Sequence, residues 1–275
     1  MKVSVIIPSY KPQGYLWECL DSLYSQTFPK KDFEVILVLN GCDEPYQSQI
    51  KNYIDCHKEL NIKYIHTLQG GVSNARNIAL DKACGEYVTF IDDDDLVSPT
   101  YLNQLYNKAN PITVVLSYPY AFDDGHLESQ LSYHITDVYE QYNETENIRI
   151  SSKVRKYFSG PCMKLIPMSF IQGRRFDCRL KNGEDTLFMF LISDCIENIQ
   201  FASKDAVYYR RNRINSAVNR KRSFKDIMHS NFLQIRTYLK YYLKNPFNYN
   251  ILFLLSRIGG ALYAIVQTLF SYVKR

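Results

Sequence analysis

No basic leader followed by an apolar core opens this chain: MKVSVIIPSY runs directly into a strand-like segment ending at Pro8, so no signal peptide is expected and the body is placed in the cytosol. No C-x-x-C pair occurs either. The seven cysteines (Cys19, Cys42, Cys56, Cys84, Cys162, Cys178, Cys195) are odd in number and scattered, which argues against a disulfide framework and structural zinc and leaves most of them as buried small hydrophobes. Internal repeats and low-complexity tracts are absent, and tryptophan is reduced to Trp17. Acidic residues thin out late in the chain. From Lys204 to Lys244, eleven Lys or Arg residues face only Asp205 and Asp226, a stretch suited to an anionic partner or to a solvated helix face.

What is present is enough for one sizeable core, alone or with a small subdomain: 275 residues, 46% of them hydrophobic, with a modest net charge of +5. Val3 to Ile7 and Phe33 to Leu39 are continuous apolar runs, as in parallel strands covered on both faces. Between them, Leu16, Cys19, Leu20 and Leu23 make one apolar helical stripe, giving a βαβ unit. Ile62 to His66 predicts a third strand. Ser73 is the expected cap of a helix carrying Ala75, Ile78, Ala79 and Ala83, with Gly85 as its stop. Tyr87 to Ile91 follows as a strand, Ser98-Pro99 as the start of a helix to about Lys108, and Thr113 to Tyr118 as a fifth strand. The segment from Ala121 to about Lys156 has no clear period, and its length suits a substrate-facing excursion. Leu187 to Ile196 predicts a helix, Ala206 to Arg210 a strand, and the rest from about Ser223 aromatic-rich helices.

Asp92, Asp93, Asp94 and Asp95 directly follow the strand YVTFI, at the carboxyl end where open α/β sheets place their ligands. Four adjacent carboxylates repel one another unless a cation intervenes. Mg²⁺ or Mn²⁺ takes one or two carboxylates and completes its shell with phosphate oxygens and water, so a metal and diphosphate site fits. An acidic turn before the next helix is the plainer alternative, weakened by Ser98 as a cap already in place.

Five segments in order, VSVIIPSYK, GGVSNARNIAL, FIDDDD, KNGEDTLF and YYRRNRINS, resemble the family 2 glycosyltransferases, and the likeness runs from Val3 to about Ser216. The resemblance implies a glycosyltransferase A fold: an α/β architecture with a Rossmann-like, mostly parallel central sheet flanked by helices, here with a C-terminal helical extension. It implies a nucleotide-sugar-binding half over 1–118, an acceptor-binding and catalytic half over 119–222, and C-terminal helices over 223–275. By the same likeness Pro8, Ser9, Tyr10 and Lys11 lie against the nucleotide base. An acidic residue usually follows the second strand, but VLNGCDE puts Asn40 there, with Asp43 as a substitute; an amide still offers a uracil edge both donor and acceptor. Asp92 then faces the ribose side, with Asp93 also at the donor, Asp94 holds the metal, and Asp95 binds metal or supports the site. Arg76 and Asn77 lie near the donor; from pattern alone they are exposed positions on an amphipathic helix.

For the chemistry, the resemblance makes Asp185 the base that deprotonates the acceptor hydroxyl and Glu184 the residue orienting the acceptor sugar. Pattern alone also reads Asn182 and Asp185 as a capping arrangement for the following helix, and both roles can coexist, since a helix amino terminus keeps a carboxylate ionised. Among Arg210, Arg211 and Arg213, the resemblance points to Arg213, with Ser216, at the diphosphate; a solvated basic turn is the alternative. Processive family members carry Q-x-x-R-W, which is missing, so transfer of a single sugar from a nucleotide diphosphate donor, UDP favoured, is expected. Ile251 to Val273 is apolar but interrupted by Arg257, Gln267 and Gly259-Gly260, a borderline span. An interfacial helix pair on the inner face of the plasma membrane, near a polyprenyl-diphosphate-linked glycan acceptor, is preferred over a spanning helix or a homodimer contact. No nucleic-acid partner is expected. Two rivals stand beside this reading. A sugar nucleotidyltransferase resembles its own family in a glycine-rich loop after the first strand, which PSYKPQG does not supply. A non-catalytic nucleotide or nucleic-acid binding module leaves the acidic cluster unexplained.

Overall fold

The computed structural model describes residues 1–145, 148–213 and 223–273. The amino-terminal part alternates β1 (Val3–Ser9), α1 (Gly14–Tyr24), β2 (Phe33–Asn40), α2 (Tyr46–Cys56), β3 (Ile62–Thr67), α3 (Val72–Lys82) and β4 (Tyr87–Phe90). Then come β5 (Leu96–Val97), α4 (Tyr101–Tyr106), β6 (Thr113–Leu116), β7 (Tyr118–Asp123), β8 (Gln130–Leu131) and α5 (His134–Tyr142). The chain continues through β9 (Lys164–Pro167), α6 (Glu184–Leu191), β10 (Asn198–Phe201), β11 (Val207–Asn212), α7 (Phe224–Lys244) and α8 (Ile251–Val273).

Every residue of β1 and β2 is buried, as their unbroken apolar runs require of strands covered on both faces. They sit in a seven-stranded sheet of order β10-β6-β9-β4-β1-β2-β3. All of its strands run parallel except β9, which pairs antiparallel with both β4 and β6. Because β9 and β10 come from beyond residue 118, the two expected halves share this sheet. A smaller sheet of order β5-β11-β7-β8 stands beside it. Its central pair, β11 and β7, is parallel, and β5, which starts directly after Asp95, pairs antiparallel with β11. That pairing lays β11 along the acidic segment.

Several local expectations change. The expected strand from Thr113 to Tyr118 divides at Ser117, whose N–H donates to the Met163 carbonyl, into β6 in the large sheet and β7 in the small one. Ser73 is not a cap: α3 starts after Gly71, held at φ +124, where side chains are strained, and Ser73 is buried in the first turn. Nor does Ser98 cap a helix. Its hydroxyl donates to the Asp205 carbonyl at 2.5 Å and accepts from the Val207 N–H, tying β5 to β11, while α4 begins at Tyr101. Gly85 ends the helical region for a packing reason, since a Cβ there would lie 2.5 Å from the Ser4 nitrogen.

Candidate active site

Sheet register brings the first groups together. Ile6 pairs with Phe90, so the chain past β4 draws level with the end of β1, and the Ser9 hydroxyl donates to Asp93 Oδ2 at 2.5 Å. Burial and the neighbouring charges of Asp94 and Asp92 push the Asp93 carboxyl up to about 7, against the pull of the Ser9 bond. Asp94 is also raised, by burial and then by Asp92, although Arg213 clamps its Oδ2 with Nε at 2.6 Å and a terminal nitrogen at 2.5 Å. Arg213 in turn lies 4.3 Å from the Tyr15 ring centroid.

Asp95 faces inward. Its carboxylate accepts from the Tyr208 hydroxyl at 2.7 Å and from the Arg211 N–H at 2.8 Å, and the residue is 4% exposed, so both of its oxygens are engaged within the protein. Arg211 is equally structural: it donates to the Asp94 carbonyl, to Asp124 and to Glu18, closing the turn that presents the acidic segment. Tyr208 also accepts from the Asp92 N–H at 3.2 Å. β11 thus fixes the acidic turn from one side.

From the other side comes Arg76, on α3 and buried. One terminal nitrogen donates to Asp185 Oδ1 at 2.5 Å and the other to Asp92 Oδ1 at 2.9 Å, with the Phe176 ring 5.3 Å from the guanidinium. The two acidic regions, 93 positions apart in sequence, therefore share one cation in one site. Asp185 opens α6, whose cap is Gly183 at φ +77 and not Asn182. Burial raises the Asp185 carboxyl to about 6; Arg76 opposes the shift, while Glu184 and Asp92 add to it. Such a group is ionised at neutral pH and basic enough to accept a proton. Glu184 stands beside it in the first turn.

Two expected donor contacts, Asn40 and Asn77, are used internally. The Asn40 amide donates to the Ser9 carbonyl at 2.7 Å and accepts from the Gly71 N–H at 2.8 Å, so it braces β1 against the loop before α3. Asn77 exchanges two bonds with the Phe176 backbone, both 2.9 Å. Asp43 is exposed and bonded by Gln47. Tyr10 remains half-exposed beyond β1, with Lys11 at φ +48 and its N–H on Cys42 Sγ, and Pro8 is buried in the strand. Ser216 lies outside the described residues.

Sequence reasoning missed Tyr15, Glu18, Lys164, Tyr208 and Gln234. Lys164 is fully buried on β9 and donates to the Gly160 carbonyl at 2.7 Å and to the Cys162 carbonyl, pinning the loop whose Gly160 faces Asp185; burial lowers its ammonium to about 7. Gln234 of α7 donates to the Asn182 carbonyl at 3.3 Å and fills the space a side chain at Gly183 would need. A lysine in an otherwise apolar strand was the one legible signal among them.

Among the described residues, no group of three or more His, Cys, Asp or Glu side chains forms a metal cage. A hard divalent cation bound chiefly by phosphate needs fewer. One or two carboxylates suffice, and Asp94, in a crowded acidic turn with raised carboxyls, supplies that donor chemistry.

An open, mostly parallel α/β sheet carries the acidic turn just past the end of β4, the edge where such sheets place their ligands, and α6 brings Asp185 to it. The profile described as Glycosyl transferase family 2 matches residues 4–172, and the chain belongs to that family. It is 28% identical over 218 residues to glycosyltransferase GlyA of Streptococcus pneumoniae, covering 76% of this chain and 30% of that protein. The minor teichoic acid biosynthesis protein GgaB of Bacillus subtilis is 30% identical over 213 residues, covering 75% and 23%. The crystal structure of Staphylococcus aureus TarS 1–349 in complex with UDP-GlcNAc superposes with a TM-score of 0.71 at 24% identity, covering 98% of this chain and 72% of that one, which establishes the glycosyltransferase A fold. This chain spans about a quarter of the length of these two curated relatives.

Proposed function

We propose that this chain is an inverting glycosyltransferase that moves one sugar from a nucleotide diphosphate donor, UDP by preference, to a hydroxyl of a surface-polysaccharide glycan. The observation that carries the reading is the Arg76 bridge, which puts a donor-side carboxylate, Asp92, and a basic carboxylate, Asp185, in one site. UDP as the donor nucleotide is supported by the complex of the TarS relative with UDP-GlcNAc. In this reading Ser9, Tyr10, Lys11 and Asp43 line the nucleotide, Asp92 and Asp93 hold the ribose and sugar side, and Asn40 and Asn77 shape the site without touching the donor.

Asp185 accepts the acceptor hydroxyl proton as that oxygen bonds to the anomeric carbon. The bond to the diphosphate oxygen breaks on the opposite face, so configuration inverts. Glu184 orients the acceptor sugar. Arg213, on Asp94, stabilises charge as it develops on the leaving group. Mg²⁺ or Mn²⁺, held by Asp94 and the diphosphate, would supply further charge neutralisation there.

α8 directs the protein to a membrane surface in this proposal. Its Ile251–Phe270 segment is long and apolar enough to cross a bilayer, yet Phe253, Leu254, Arg257, Ala261 and Ile265 are buried against the body. Arg257 donates to the Phe158 and Arg155 carbonyls. A helix fastened along that face is better suited to lie in the interface, with Leu252, Leu255, Leu262, Tyr263, Val266 and Phe270 toward lipid. The inner leaflet, where a lipid-linked acceptor resides, is the proposed location. The deciding experiment is Asp185→Asn with UDP-sugars and lipid-linked acceptors: transfer should fall by about 10²–10⁴-fold with donor affinity retained. Retained turnover with weakened donor binding refutes the assignment.

A further inference from the structure

The helix that carries Asp185 is short and weakly anchored by its own sequence. α6 has eight residues, and its cap, Gly183 at φ +77, contributes no side-chain hydrogen bond. Contacts from the C-terminal helix pair hold it instead, and that pair lies beyond residues 4–172, the span matched by the family profile. At the start of α6, Gln234 of α7 donates to the Asn182 carbonyl at 3.3 Å and occupies the space beside Gly183, where an added Cβ would lie 2.3 Å from Gln234 Nε2. The amide is oriented in turn by Tyr238, whose hydroxyl donates to Gln234 Oε1 at 3.3 Å, and both side chains are buried. At the far end, the Tyr249 hydroxyl donates to the Leu191 carbonyl at 3.2 Å. Between the two ends, Phe190 packs on the Tyr238 and Tyr249 rings, each 4.9 Å away between centroids.

A second grip comes from α8. The segment 155–160 faces the base: the Ser159 carbonyl accepts from the Thr186 hydroxyl at 3.1 Å, and a Cβ at Gly160 would lie 3.9 Å from Asp185 Oδ2. One terminal nitrogen of Arg257 donates to the Phe158 carbonyl and to the Arg155 carbonyl, while the Arg155 side chain returns a bond to the Ser256 carbonyl at 2.9 Å. Arg257 is 5% exposed and forms no ion pair among the described residues, and its buried Nε has no hydrogen-bond partner among them. Burying an unpaired guanidinium is costly, and an apolar side chain would join the same surfaces at lower cost. Apolar contact has no direction, whereas a guanidinium fixes the orientation of the carbonyls it holds.

We propose that Gln234 and Arg257 are positioning residues for transfer: the C-terminal helix pair sets the place of the Asp185 carboxylate by holding the turn that precedes it and the segment that faces it. The inference rests on the role of base given above to Asp185. A base must come within about 2.6–3.2 Å of the hydroxyl it deprotonates, so a displacement of about 1 Å in α6 lowers kcat. Donor binding, which the proposed function assigns to the end of β1 and the acidic turn, is left unchanged.

The test uses the full chain and three variants, each assayed below its melting temperature. Gln234→Leu keeps the volume and removes the donor, and Arg257→Met keeps the stem and removes both bonds. Ile265→Ala, further along the buried side of α8, is the reference, because it weakens the same packing without removing a donor. In the first two, kcat should fall roughly tenfold to a hundredfold with donor KM and calorimetric UDP affinity unchanged. Ile265→Ala should keep wild-type kcat even where its melting temperature falls as far. Arg257→Lys, retaining one donor for the Phe158 carbonyl, should recover part of the loss. A wild-type kcat in the folded variants, or a kcat that falls in step with melting temperature in all three, overturns the positioning role. Should Arg257→Met not fold, Gln234→Leu carries the same comparison. Hydrogen exchange reads the grip without turnover. The Leu187 N–H, bonded to the Gly183 carbonyl at 3.0 Å, should exchange faster in Gln234→Leu, and the Phe158 N–H, bonded to the Arg155 carbonyl at 3.1 Å, faster in Arg257→Met. Unchanged exchange at both overturns the grip itself. If exchange rises as expected while Asp185→Asn still transfers sugar at the wild-type rate, the grip stands and the base assignment fails.

Discussion

Arg76 holds Asp92 and Asp185 on its two terminal nitrogens, at 2.9 and 2.5 Å, while its buried Nε has no hydrogen-bond partner among the described residues. The guanidinium is committed to bridging, and its burial is offset by two carboxylates and a ring face. Arg76→Ala leaves those carboxylates facing each other and should cost about 3 kcal/mol in chemical denaturation. Arg76→Lys keeps the charge as a single point that cannot span both partners, so kcat should fall about 10²-fold with smaller loss of stability. A lysine variant with wild-type kcat shows that the bridge does not orient the base.

The acidic turn makes stability depend on pH in an unusual direction. Asp93, raised to about 7, keeps its proton in the folded state while the unfolded carboxyl releases it near its ordinary value. Between about pH 4 and 7 the folded state therefore binds more protons, and stability declines as pH rises through that window. Asp93→Asn should melt like wild type near pH 4 and several degrees higher at pH 8. Equal melting temperatures at pH 8 contradict the burial assigned to this carboxyl. Asp185 has a kinetic counterpart, since kcat should rise through about pH 6 as its carboxylate forms and then level off.

Adjacent aspartates are engaged differently. Asp94 is 16% exposed and paired with Arg213, whereas both oxygens of Asp95 are engaged by Tyr208 and the Arg211 N–H. Asp94→Asn should leave the melting temperature nearly unchanged while weakening Mn²⁺-supported donor binding. Asp95→Asn turns an amide N–H₂ toward a donor that the carboxylate satisfied, at a cost of about 1–3 kcal/mol. Thermal melts alongside Mn²⁺ titrations in the presence of UDP separate the two. A stable Asp95→Asn variant that has lost its metal response reverses the assignment.

The strands that carry this site were readable because β1, β2 and β4 are buried on both faces and so written as apolar runs. α2 was not, since Ile50 is its one buried residue and a helix with so little to bury leaves no stripe. β9 and β10 are four residues each and gain their meaning from neighbours far away in sequence. The same limit governs the side chains. The motif located Asn40, Asn77 and Asp95, but whether an amide or carboxylate faces a ligand or a backbone depends on partners such as Gly71, Phe176 and Arg211, which no local spacing reveals. Arg76 and Asp185 were legible as separate motif residues, and their contact was not.

The two faces of α8 can be altered independently, because one is buried and the other exposed. Leu262, Val266 and Phe270 recur at helical spacing on the exposed side, and Leu262 and Phe270 are 49% and 62% exposed. On α7, Lys225, Arg236, Lys240 and Lys244 are exposed and share one side by helical spacing, and in the membrane-surface proposal they supply charge for anionic headgroups. The wild type should float with vesicles containing anionic lipid and be released by salt in part, as charge is screened and apolar burial is not. Leu262→Glu with Val266→Glu should abolish flotation while leaving transfer to a soluble acceptor intact. Flotation that survives the double change, or a dimer by light scattering that the change converts to monomer, assigns this face to a second copy of the chain.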